Sequence, residues 1–187
     1  MIYISKGIVQ ERSTERNIYV GHGGQVFQLT KIEAQLWLDG RFGFYETKNA
    51  SQDRAIEHLY RMGLVEYEQE DTLVSRYRIL TRCVLCAAAN SNASLTVGRF
   101  ESSILNWLTN AGIRLSMAEL VYLHERQIKP TKDILYTDNR QKLVETIYTQ
   151  ENIFDNILEC QMEHATCRDK VTAATIVLLK NKKIVIL

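Results

Sequence analysis

RAIEHLYRMGLVEYEQEDTLVSRYRIL, residues 54–80, decides how the first half of the chain reads. Ala55, Ile56, Leu59 and Met62 recur at the spacing of one buried helix face. Gly63 closes that helix. Leu64, Val65 and Tyr67 then begin a strand, and Glu68–Asp71 (EQED) reads as a polar turn. Tyr77 and Ile79, with Val74, suggest a return strand. The expected order is helix, glycine, strand, polar tip, strand, with the two strands paired around EQEDT.

Upstream, residues 1–28 read as short strands in a hairpin or small meander. Ile2, Ile4, Ile8, Ile18, Val20, Val26 and Phe27 supply the apolar side chains. The polar run QERSTERN and the glycines around His22 mark the turns. Thr30 precedes Glu33 by three residues, the spacing of a capping box. It opens a helix with Ile32, Leu36 and Trp37 on its inner face, ended by Asp39-Gly40. Arg41 to Asn49 is loop or poor helix, and Asn49 or Ser51 caps the next helix.

Downstream, TRCVLCAAA is either a strand extension or a helix start. NSNASLT is the candidate linker, placing the boundary near residues 87–96. Two domains are expected, 1–90 and 91–187. The second opens with a helix over Arg99–Asn110. Ser116 and Glu119 repeat the capping-box spacing before a helix through Arg126. Asp138 is a candidate cap for a helix through Tyr148 with Leu143, Val144 and Ile147 inside. Further helices are expected over Ile153–Met162 and Thr166–Leu179. Asn181-Lys182 turns the chain into a last strand. The fold class is α+β, mainly helical, with small antiparallel sheets.

The 187 residues are 45% hydrophobic and 24% charged, with a formal net charge of +1. That balance can build a core and is far from the strongly basic profile of a nucleic-acid-wrapping protein. MIYISKGIVQ lacks the charged-then-apolar pattern of an export signal, and no apolar run reaches bilayer length. Cytoplasmic location without membrane contact is therefore expected, with the four cysteines as free thiols.

Residues 16–80 resemble the winged helix-turn-helix superfamily. More narrowly, GQVFQLTKIEAQLWLDG (24–40) followed by RAIEHLYRMGLVEY (54–67) is similar to the small peptide-recognition domains related to the carrier protein of pyrroloquinoline quinone synthesis. The resemblance covers about one third of the chain and rests on hydrophobic spacing and a glycine. It implies a leader peptide adding as a strand beside the N-terminal sheet, along an edge within Ile2–Val9 or Ile18–Gln28. Both halves are expected to be winged-helix-like.

Two binding roles follow. In a DNA-associated regulator the helix Ser51–Met62 presents Arg54, His58 and Arg61 to double-stranded DNA, and the wing adds Arg76 and Arg78. Asp53, Glu57 and the acidic tip EQED oppose that reading. The second half adds Lys129, Lys132, Arg140 and Lys142, with Lys182 and Lys183 at its last turn; a homodimer is the expected assembly. The alternative is a peptide or protein adaptor using an N-terminal sheet edge. Cys83 and Cys86 have CxxC spacing, and Cys160, His164 and Cys167 are further metal-ligand candidates. The apolar setting of the first pair favours buried thiols over zinc. No phosphate loop, HExxH or nucleophile elbow occurs, so no reaction, metal or cofactor is expected.

Overall fold

The computed structural model describes residues 1–14, 17–88, 98–110, 114–131, 134, 141–149 and 154–187. The fold is α+β and mainly helical, with three small three-stranded antiparallel sheets. The chain divides into two compact units, Met1–Ile79 with Ile186–Leu187, and Leu80–Val185. Residues 89–97, which hold most of the expected linker, lie outside the described residues.

The first unit contains β1 (Ile2–Ser5), β2 (Ile8–Val9), β3 (Tyr19–His22), β4 (Gln25–Gln28), α1 (Lys31–Asp39), a 3-10 turn over Gly40–Phe42, β5 (Tyr45–Glu46), α2 (Ala50–Arg61) and β6 (Val65–Glu68). One sheet has the order β5-β1-β6 and a second β2-β3-β4. The second is the expected meander. Its tight turn is Gly23-Gly24, with φ of 57° and 80°, the left-handed pair that matches strand twist in a two-residue hairpin. In the first sheet, β1 is central and all four of its residues are buried. Tyr3 joins Val20, Leu29, Leu36, Trp37, Ile56, Leu59, Leu64 and Val65 in the core. Two buried polar tips are satisfied: Tyr3 OH donates to Leu36 O (2.9 Å) and Trp37 Nε1 to Lys6 O (2.9 Å), as buried donors require.

The helix ends follow local chemistry. Asn49 caps α2, accepting from Ser51 N and Gln52 N. Ala55, Ile56 and Leu59 form its buried face. In α1, Leu36 and Trp37 are buried, whereas Ile32 is 42% exposed. The inward position in the first turn belongs to Glu33 instead.

The expected return strand is absent. Leu73–Thr81 is a helix, α3, whose last two residues belong to the second unit. Two causes are visible. Thr72 Oγ1 accepts from Ser75 N (3.0 Å) and starts the helix. Strand β6 has its partner in β1, with Tyr3 opposite Tyr67 and Ile4 opposite Glu66, so β1 occupies the place expected for the return strand. Tyr77, Ile79 and Leu80 supply the buried side of α3. Their segment also alternates, which is why it reads as a strand in isolation.

The second unit contains β7 (Val84–Ala87), α4 (Arg99–Asn110), β8 (Leu115–Ser116), α5 (Met117–Glu125), α6 (Gln141–Ile147), α7 (Asp155–Glu163), α8 (Arg168–Lys180) and β9 (Ile184–Ile186), the last residue of which belongs to the first unit. TRCVLCAAA thus yields a strand. The sheet order is β8-β7-β9. Helix α5 is buried from Met117 to Leu123 and packs against α6, α7 and α8; an all-round apolar helix belongs at the centre of a core. Its capping box is reciprocal, with Ser116 N donating to Glu119 Oε2 (2.7 Å) and Glu119 N to Ser116 Oγ (3.2 Å). In α6, Leu143 and Ile147 are buried but Val144 is 38% exposed. The expected cap Asp138 lies outside the described residues. No helix among the described residues is long and apolar enough to cross a membrane.

Candidate functional site

In the first unit, β4 is an edge strand, and its register determines what that edge offers. Tyr19 faces Gln28, Val20 faces Phe27, and His22 faces Gln25. Leu29 N donates to Ile18 O (3.0 Å). Hydrogen-bonded pairs alternate along an antiparallel ladder, so Val20–Phe27 and His22–Gln25 are also bonded pairs. The N–H and C=O groups of Val26 and Gln28 therefore point away from β3. Val26 and Gln28 are exposed, while Phe27 turns inward against the core.

The chain runs from β4 through Leu29 into the cap of α1. There Thr30, Lys31, Ile32 and Gln35 line a shallow, largely apolar depression. The first turn is held rigidly. The Glu33 carboxylate, only 8% exposed, accepts from Thr30 N (2.8 Å), Thr30 Oγ1 (2.7 Å) and His58 Nδ1 (2.5 Å). Burial alone would raise this carboxyl; the bonds from Thr30 and His58 reverse that and hold it below the ordinary glutamate range. The exposed Ile32 is thus presented by a helix end fixed from beneath.

The cations expected to meet DNA fall in both units. Arg54, His58 and Arg61 lie on the exposed face of α2, with Glu57 among them. His58 is also the Glu33 partner. Arg76 and Arg78 lie on α3 and not on a wing strand. Arg76 forms a two-pronged pair with Asp71, Nε to Oδ1 at 2.7 Å and Nη2 to Oδ2 at 2.8 Å, and its guanidinium stands over the Phe44 ring. That hydrogen bonding holds Asp71 below its ordinary range. In the second unit, Lys129 follows α5, Lys142 is exposed on α6, and Lys182 and Lys183 form the turn before β9. Lys132 and Arg140 lie outside the described residues.

The cysteines do not assemble. Cys83 is buried just before β7, whereas Cys86 lies three residues on and half-buried. Among the described residues, no group of three His, Cys, Asp or Glu side chains could hold a metal ion.

Sequence reading missed the Glu33–His58 contact, since 25 residues separate the partners. The outward groups of β4 were open to inference: a two-residue diglycine turn makes His22–Gln25 the first bonded pair and so sends Val26 and Gln28 outward. No family model, curated protein or solved structure matches the chain.

Proposed function

We propose that the first unit is a peptide- or protein-binding adaptor that takes up an extended segment as an added strand on β4. The observation that carries this reading is the outward backbone of Val26 and Gln28 on an exposed edge. Those residues offer two donors and two acceptors in register for a fourth strand. The depression at Ile32 accepts an apolar side chain of that segment, and Lys31 favours an acidic neighbour. The resemblance to peptide-recognition domains points the same way.

The test is selection from a displayed library of random peptides, followed by titration against the parent protein and Val26→Pro. Proline at Val26 leaves the β3 ladder intact, because that N–H points outward, but removes a donor and obstructs the edge. Each net backbone hydrogen bond is worth about 1 kcal/mol, so the variant should bind selected peptides about tenfold more weakly or worse. Failure to enrich any peptide, or equal binding to Val26→Pro, overturns the proposal.

A DNA-associated regulatory role through α2 is the second reading, supported by the exposed Arg54 and Arg61. In it the winged-helix-like likeness rests on α1, α2 and the β1–β6 pair, and a homodimer would present two α2 helices to successive half-sites. Double-stranded DNA binding should then weaken steeply with salt, and Arg54→Gln with Arg61→Gln should lower the log–log slope by about 2. Salt-independent binding would remove this reading.

A further inference from the structure

Strand β4, with the sequence QVFQ, forms one edge of its sheet in the first unit. Sheet edges are ordinarily kept from pairing with one another by charged side chains, proline or a bulge. This edge carries none of the three. Its residues are uncharged, and its register against β3 is unbroken from Tyr19–Gln28 to His22–Gln25. Val26 is 46% exposed, and Gln28 is exposed as well. The Gln28 side chain touches Asn17 Oδ1 at 3.4 Å; its backbone takes no part in that contact.

The edge is also complementary to itself. Val26 and Gln28 each point one N–H and one C=O outward. A two-fold axis beside Phe27 sets Val26 opposite Gln28 of a second copy, and Gln28 opposite its Val26. Both are then bonded pairs, and every outward group of the two strands is used. The neighbouring registers are poorer. An axis at Val26 leaves Gln28 opposite Gly24 of the turn. An axis at Gln28 leaves Val26 opposite Thr30, whose N–H is given to Glu33 Oε2 (2.8 Å) and whose C=O accepts from Ala34 N (2.8 Å). In the central register Thr30 and Lys31 lie opposite Gly24 and Gly23 of the other copy. The space where Cβ atoms would stand at these glycines is open, so the turn brings no side chain against the start of α1. No like charges face one another, as a stable cross-strand pairing requires.

We propose that two copies of this chain pair through β4 in the central register, joining their three-stranded sheets into one continuous antiparallel sheet. The dimer closes the edge that takes up a peptide, so self-association competes with peptide uptake. The competition rests on the adaptor reading; the pairing itself does not. The contact is short, which sets the expected Kd at about 0.1–1 mM.

The experiment is sedimentation equilibrium of the full chain from about 0.02 to about 1 mM. The parent should pass from monomer towards dimer across that range. Val26→Lys with Gln28→Lys places like charges opposite one another in all three registers and should stay monomeric. Val26→Lys with Gln28→Glu leaves the net charge unchanged and brings opposite charges together only in the central register. It should associate about tenfold more tightly than the double-lysine variant, or better. Both positions are exposed, and circular dichroism will verify that each variant is folded. The proposal is overturned by a parent that stays monomeric, by a double-lysine variant that associates like the parent, or by a Lys–Glu variant that associates no better than the double-lysine one. The two readings of the edge fail separately. A chain that dimerises through β4 but enriches no peptide overturns the adaptor reading alone, and one that binds peptide but stays monomeric overturns the pairing alone.

Discussion

Replacing Glu33 by alanine removes the group on which the start of α1 depends, and the cost follows from its surroundings. Losing the capping interaction with Thr30 costs about 1 kcal/mol. The His58 contact is short, but the His58 side chain is 58% exposed, so it is discounted to roughly 0.5–1 kcal/mol. The lost buried methylene adds about 0.8 kcal/mol, and the better helix propensity of alanine returns about 0.3 kcal/mol. The expected loss is about 2 kcal/mol. Trp37 is buried in the first unit and Trp107 in the second, so urea unfolding followed by fluorescence in a Trp107→Phe background reads the first unit alone. The pH dependence has a defined sign. The folded Glu33 carboxyl lies below its ordinary value of 4.5. Its contribution is therefore complete above that value and is lost as pH falls through the depressed folded value. Glu33→Gln should remove this part of the acid sensitivity. A Glu33→Ala loss under about 0.5 kcal/mol, the size of an ordinary surface change, would refute the reasoning, as would unaltered acid sensitivity in Glu33→Gln.

Other perturbations test separate parts of the structure. A Cβ at Gly40 would lie 2.6 Å from the Tyr3 ring and from Ser5 Oγ; both residues are buried, so Gly40→Ala should cost about 1–3 kcal/mol in the same unfolding assay. Arg78→Pro should cost about 3 kcal/mol in that assay, because it breaks the interior of α3; a near-neutral result would contradict a helix over this segment. Under native alkylation at pH 8, Cys160, which is exposed, should react first by peptide mass spectrometry. Cys83 is shielded, burial pushes the Cys86 thiol up, and burial with Glu125 pushes Cys167 up to about 12. Labelling of Cys167 as fast as Cys160 would contradict that environment.

Features governed by neighbouring residues were legible in the sequence. Both capping boxes, the Asn49 cap, the diglycine hairpin and the bounds of α4 depend on contacts within a few residues. Burial in α1 was less legible: its apolar spacing assigns Ile32 inward, yet the core receives Glu33, whose charge is satisfied by a histidine from α2. Leu73–Thr81 was the clearest failure. Nine residues that both alternate and recur at helical spacing carry two readings, and local pattern does not rank them.

The sequence by itself determined the α+β class, most helix positions and the N-terminal meander. These follow from turn chemistry, capping and hydrophobic period, which act over a few residues. Only the tertiary structure decided that β1 partners β6 in place of a wing strand, that Arg76 is held by Asp71 on a helix, and that Glu33 meets His58. Strand partnership and convergence of side chains depend on which distant segments bury one another, and no local period records that.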